Sequence, residues 1–300
     1  MSAEKMHADE FGIDAFLVRR LLGSQFPQWA DLALLPVRSD GTANTLFRLG
    51  DEMVVRLPRT HGAVAGLQRE LEWLPVLAPR LPLAVPVPLA RGQADREYPW
   101  DWAVYRWLVG ENATPDRIAD LCQFAKSLAQ FVAALRELDP RGGPAPRPTE
   151  RGVPLADRDQ RVRAAIEELE GEIDRAAVVA AWEQALRAPV WEGPGVWLHG
   201  DLYGGNMLVV DGRLSAVLDF GSLSVGDPAP DLIIAWSLFS GEAREVFRQA
   251  LNTDPAMWER GRGWALSVAL IALPYYRTSN PYFVALSRRM IAEVLADAQS

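Results

Sequence analysis

The sequence predicts an α+β chain, a small β-rich front followed by a mostly helical remainder, and three observations carry that reading. Residues 45–77 run strand, strand, helix: 45–49 and 52–57 are short apolar runs flanking Gly50-Asp51, and 63–77 places Leu67, Leu71 and Leu74 at helical spacing. Residues 207–210 and 214–218 read as two strands joined at Asp211-Gly212, a dipeptide that closes a tight hairpin. From residue 116 onward the remaining apolar residues recur mostly three and four apart, the period of a packed helix. The predicted boundary puts residues 1–107 in an N-terminal lobe and 108–300 in a helical C-terminal lobe that carries the hairpin.

Each element follows from local chemistry. Residues 102–110 form an apolar strand that ends at Gly110, before helix signals begin near Thr114-Pro115-Asp116, so this strand connects the two parts. Ile118, Leu121, Ala125, Leu128, Val132 and Leu135 make one helical stripe, and Cys122 within it reads as a buried packing thiol. The Pro and Gly content of 140–154 predicts a loop; 157–186 is helical and charged, with a break near Gly171. Residues 196–198 are a short strand, and 228–239, 255–273 and 283–298 read as helices whose Trp236, Trp258 and Trp264 belong in the core.

Composition narrows the functional classes. At 300 residues and 49% hydrophobic content the chain can bury a full core. A net charge of −8 argues against a nucleic-acid binder, which needs a basic face for phosphates. The same charge suits a cationic acceptor, and equally many enzymes without one. With Cys122 as the single cysteine there is no intrachain disulfide, which fits a reducing compartment. No segment reads as a secretory signal and no apolar run approaches membrane-spanning length, so the expected location is the cytoplasm, with no membrane partner.

The chemistry concentrates in His199-Gly200-Asp201-Leu202-Tyr203-Gly204-Gly205-Asn206, followed by Asp219-Phe220-Gly221. Moving a phosphoryl group to a hydroxyl needs Mg²⁺ against the phosphates, an in-line nucleophile and a carboxylate to take its proton. Kinases arrange these as His, a catalytic Asp two residues on, a metal-binding Asn five residues later, and then Asp-Phe-Gly. His199, Asp201, Asn206 and Asp219 repeat that order. Three fixed residues coincide by chance at roughly one position in 8,000, so the match points to kinase chemistry. Asp201 is the expected base, and Asn206 and Asp219 the expected Mg²⁺ ligands; the hairpin begins just after Asn206 and ends just before Asp219, so antiparallel pairing is expected to return one toward the other.

A kinase also needs a cation on a front strand, paired with a helix carboxylate. The only lysines are Lys5 and Lys126, neither in the right segment, so Arg56 is the candidate; the alternative is a solvated strand residue. Glu70 and Glu72 both lie on the following helix, and Glu70 is preferred because it neighbours Leu67, Leu71 and Leu74 on the helical wheel. Before the first strand, Ser39-Asp40-Gly41-Thr42-Ala43-Asn44 holds one glycine, so Ser39, Gly41 and Thr42 are either a phosphate-binding turn or an ordinary hairpin loop. His199 is expected to support its loop rather than move protons. Asp227 before Pro228 has the chemistry of a helix N-cap. Asp231, Glu242 and Glu259 are either acceptor-facing acids or surface and capping residues.

With Asp201 followed by Leu-Tyr-Gly-Gly-Asn, and with Gly226-Asp227-Pro228-Ala229-Pro230-Asp231 soon after Asp-Phe-Gly, the chain resembles the aminoglycoside phosphotransferase family of small-molecule kinases, most densely over residues 196–236. The resemblance implies a two-lobed protein-kinase-like fold, ATP or GTP as donor, Mg²⁺, and a hydroxylated small molecule as acceptor. It places the nucleotide base against the backbone of Tyr105, Arg106, Trp107 and Leu108. Three readings stay open: an antibiotic-modifying enzyme, a metabolic kinase for a sugar, amino alcohol or amino acid, and a nucleotide-binding protein without transferase activity. A protein acceptor is disfavoured, because the short passage from Gly221 to Asp231 leaves no room for a long activation segment.

Overall fold

The structure, a computed structural model, describes residues 11–37, 43–148 and 150–298. The chain divides into two compact units: Met1–Arg80 with Ala84–Val109 and Val217–Gly221, and Leu81–Leu83 with Gly110–Ala216 and Ser222–Ser300.

The first unit opens with helix α1 (Ala15–Gln25), started by Asp14, whose carboxylate accepts the Leu17 N–H at 2.8 Å. Strands β1 (Leu34–Val37), β2 (Asn44–Leu49) and β3 (Met53–Pro58) precede helix α2 (His61–Leu77), and β4 (Pro88–Gly92) and β5 (Trp102–Arg106) follow. They form a five-stranded antiparallel sheet in the order β1-β2-β3-β5-β4. Alternation along β3 decides its two faces. Val55 and Leu57 join α1 residues Val18 and Leu21 in one core. Val54 and Arg56 therefore take the opposite face, where Leu67 of α2 packs on Ala103 and Tyr105 of β5. The strand expected over 102–110 stops at Arg106, with one further bond in register, the Trp107 N–H to the Glu52 carbonyl at 2.7 Å.

The second unit contains β6 (Glu111–Asn112), α3 (Leu121–Glu137), α4 (Asp159–Glu168), α5 (Arg175–Arg187) and β7 (Val196–Leu198). Strands β8 (Met207–Val210), β9 (Arg213–Val217) and β10 (Ser224–Gly226) come next, then α6 (Ile234–Ser237), α7 (Gly241–Ala250), α8 (Pro255–Tyr276) and α9 (Pro281–Ala298). β6, β8 and β9 make one small sheet, and β10 pairs antiparallel with β7. Asp211 and Gly212 both have positive φ, 50° and 74°, the mirror-type turn that matches strand twist in a two-residue hairpin.

Two elements differ from expectation, and the loop 140–154 is a loop as expected. Asp120 caps α3, so Ile118 lies outside the helix and Cys122, on its first turn, is half-buried rather than buried. The segment 228–239 is a 3₁₀ turn (Ala229–Leu232) and the short α6 rather than one helix. The loop 140–154 is built into the structure: Pro144 and Gly152 carbonyls accept the Val225 and Asp227 N–H groups at 2.8 and 3.3 Å. Trp236, Trp258 and Trp264 are all buried in the core. No described helix is long and apolar enough to cross a membrane.

Candidate active site

In the first unit, β3 delivers Arg56 and α2 delivers Glu70 to one point. Arg56 Nη1 donates to both Glu70 oxygens, at 2.7 and 2.6 Å, and Nη2 donates to Asp219 Oδ1 at 3.1 Å. Glu70 is fully buried, Arg56 is 11% exposed and the Asp219 side chain 39% exposed. Burial opposes the guanidinium charge, but Glu70 and Asp219 override it and hold Arg56 above its ordinary pKa. Glu70 Oε2 also accepts the Tyr105 hydroxyl at 2.8 Å, and Oε1 accepts the Phe220 N–H at 2.8 Å. Burial first, then Glu70, keeps the Tyr105 phenol well above its ordinary value, so it serves as a donor. With its amide turned so that both partners are satisfied, the Asn44 carbonyl accepts from Arg56 Nε and Nη2 at 3.1 and 2.9 Å.

This network grips the Asp-Phe-Gly segment. Asp219 sits at φ 57°, a left-handed conformation that costs a non-glycine residue about 1–3 kcal/mol and persists only where the surroundings impose it. Arg56 holds its carboxylate, Glu70 holds the next N–H, and Phe220 is fully buried. α2 approaches the same backbone closely: a Cβ on Gly66 would stand 2.9 Å from Gly221 Cα, so only glycine fits there.

In the second unit, the loop between β7 and β8 presents Asp201. Its carboxylate is held at both oxygens, Oδ1 by Arg151 Nη1 at 2.6 Å and Oδ2 by Asn206 Nδ2 at 3.2 Å. Asn206 Nδ2 also donates to the Asp201 carbonyl at 3.0 Å. His199 is buried, and its Nδ1 accepts the Asp201 N–H at 3.1 Å, a loop-supporting contact. Beneath the loop, fully buried Asp231 accepts the His199 and Gly200 N–H groups at 3.1 and 2.7 Å. Burial pushes the Asp231 carboxyl pKa up, against Arg136, His199 and the two amides. Asp231 is therefore neither a surface acid nor acceptor-facing. Asp227 is equally architectural: it is paired with Arg260 at 2.8 Å and accepts the Ala229 N–H. Glu259 pairs with Arg262 at 2.6 Å, and Glu242 sits in the first turn of α7.

Thus the structure brings Arg56, Glu70 and Asp219 together in one unit, and Asp201 and Asn206 together in the other. Ser39, Gly41 and Thr42 lie outside the described residues. Of the base-facing segment, Tyr105 turns its side chain onto Glu70, Arg106 ends β5, and Trp107 carries the Arg48 guanidinium 4.1 Å above its ring, leading on to Leu108. Sequence reasoning missed Tyr105 as a Glu70 partner, although period two and the Arg56↔Ala103 register put both residues on one face. It also missed Arg151, 50 residues from Asp201, for which no local signal exists. Asn206 and Asp219 each carry an oxygen of the hard kind that Mg²⁺ accepts, and it is the Asn206 nitrogen that faces Asp201.

A β-rich unit with a strand cation wired to a helix carboxylate, and a helical unit with a braced Asp-x-x-x-x-Asn loop, define a kinase-like phosphotransferase. The profile of the phosphotransferase enzyme family, APH, matches residues 35–264, and the chain belongs to that family. Solved structures agree on the fold. The GDP complex of aminoglycoside 2'-phosphotransferase-IIIa superposes with a TM-score of 0.73 at 14% identity, over 95% of this chain and 100% of that one. The streptomycin and ATP ternary complex of the aminoglycoside phosphotransferase APH(2'')-IIa gives 0.62 at 18% identity, covering 93% and 99%. The macrolide 2'-phosphotransferase MphH from Brachybacterium faecium gives 0.61 at 23% identity, covering 94% and 97%. No curated protein matches the chain.

Proposed function

We propose that this chain transfers the terminal phosphoryl group of ATP or GTP to a hydroxyl of a small molecule. The observation that carries the reading is the bridge from Glu70 through Arg56 to Asp219, because it ties the front-strand cation to the Asp-Phe-Gly carboxylate without any lysine. A guanidinium fixed by two carboxylates keeps its charge, which attracts phosphate oxygens. On this reading Ser39, Gly41 and Thr42 line the phosphates, and the backbone from Tyr105 to Leu108 hydrogen-bonds the edge of the base.

Asp201 orients the acceptor hydroxyl and accepts its proton as the oxygen attacks the terminal phosphorus and the bond to the diphosphate leaving group breaks. Asn206 and Asp219 would hold Mg²⁺, which neutralises charge on the phosphates when bound. The acceptor is an aminoglycoside-like molecule, by analogy with the kanamycin, gentamicin and streptomycin complexes of structural neighbours. One observation favours a second acceptor class, a less cationic sugar, amino alcohol or amino acid. Arg151 places positive charge on the residue that meets the hydroxyl. A nucleotide-consumption screen over aminoglycosides, macrolides, sugars and amino alcohols tests the reading. Acceptor-dependent turnover supports it; nucleotide binding without turnover on any acceptor contradicts it.

A further inference from the structure

Arg151 enters from the loop that the sequence marks only as rich in proline and glycine, and that loop is anchored on both sides of it. Upstream, a turn joins Arg147 and Glu150: the Glu150 N–H donates to the Arg147 carbonyl at 2.9 Å, and the Arg147 N–H donates to Glu150 Oε2 at 2.9 Å. Downstream, the Gly152 carbonyl accepts the Asp227 N–H at 3.3 Å, and Val153 and Leu155 are buried. The guanidinium therefore stands on a fixed base. Its Nη1 reaches Asp201 Oδ1 at 2.6 Å, with the two side chains 24% and 28% exposed.

A carboxylate held only by Asn206 would keep freedom about its Cβ–Cγ bond, because a single amide donor fixes one oxygen. Arg151 on the other oxygen removes that freedom. Phosphoryl transfer through a loose transition state depends on placement of the nucleophile more than on a strong base, so a fixed carboxylate suits it. Exposed ion pairs contribute little to stability, so this one is better explained by orientation than by folding.

We infer that Arg151 is a positioning residue for the transfer reaction: it fixes the Asp201 carboxylate in the rotamer that receives the acceptor hydroxyl. The inference rests on the phosphotransferase reading above. The test compares Arg151→Ala, Arg151→Lys and the unaltered chain for turnover with the best acceptor from the screen, nucleotide affinity and thermal unfolding. Arg151→Ala is expected to lower kcat by 10-fold to 100-fold, on the order of a misplaced catalytic group, with nucleotide affinity unchanged, melting temperature lowered only slightly, and partial recovery of kcat in Arg151→Lys. Unchanged kcat, or a loss that follows melting temperature and is not recovered by lysine, overturns the inference.

A chain with no turnover on any acceptor would fail the functional reading first. The pairing is then judged by a double-mutant cycle of Arg151→Ala with Asp201→Asn on unfolding. Coupling of about twofold or more in the unfolding constant, the range of partly exposed pairs, is expected. Its absence overturns the inference.

Discussion

Glu70 is the residue on which the first unit's chemistry turns. Its two oxygens accept from Arg56, the Tyr105 hydroxyl and the Phe220 N–H, with no exposure to water. Removing one partner of such a pair leaves a buried charge uncompensated. Glu70→Ala is therefore expected to cost about 3–5 kcal/mol in denaturant unfolding, and to weaken nucleotide binding because Arg56 is released. A loss below about 1 kcal/mol, the range of exposed ion pairs, would show that the pair is not a structural hub. Arg56 and Glu70 were readable in the sequence, one because neither lysine lies on a front strand and the other from its place on a helical wheel. Tyr105 and Asn44 were not, because their contacts depend on strand register and on an amide orientation, neither of which has a local signature.

At the scale of elements, the loop from β7 to β8 is held by a carboxylate that comes 30 residues after Asp201. Asp231 offers its oxygens to the His199 and Gly200 N–H groups inside the core, so Asp231→Ala strands two buried donors. Each unsatisfied donor costs about 1–3 kcal/mol. The variant is expected to melt at lower temperature and to lose turnover more than nucleotide affinity, as measured by calorimetry beside binding and rate assays. Retained turnover would mean that the loop keeps its shape without Asp231. The hairpin at Asp211-Gly212 and the helix carrying Glu70 were legible because turn chemistry and helical period are local. The strap of residues 140–154 was not, because its proline and glycine content says only that it is no helix, while its order comes from carbonyls paired with β10 and Asp227.

At the scale of the whole molecule, the α+β order was legible, and the elements missed, among them α1, β1, β4, β6 and β10, lie where the apolar pattern is short or interrupted. α1 is tied to the chain before β5 by Arg20, which donates to Asp95 Oδ2 at 2.9 Å, while Asp95 Oδ1 accepts the Glu97 and Tyr98 N–H groups at 2.8 and 2.9 Å. The Arg20 hydrogen bond and these amides, working against partial burial, hold the Asp95 carboxyl down at about 2. A carboxyl depressed in the folded state stabilises above its unfolded pKa and ceases to as pH falls through the folded one. This contribution is complete above about pH 4 and lost as the pH falls to about 2. Arg20→Ala is expected to flatten the fall in stability over that window, read from melting temperature against pH; an unchanged slope would place the acid sensitivity elsewhere.

On the proposed function, Asp201 meets the acceptor hydroxyl and takes its proton. The most direct test is Asp201→Asn, assayed side by side for nucleotide binding and for acceptor-dependent nucleotide consumption with the best acceptor from the screen. Binding is expected within about twofold of the unaltered chain and turnover lower by 10²-fold or more, on the order of a lost catalytic group. Turnover at the unaltered rate would contradict that role of Asp201.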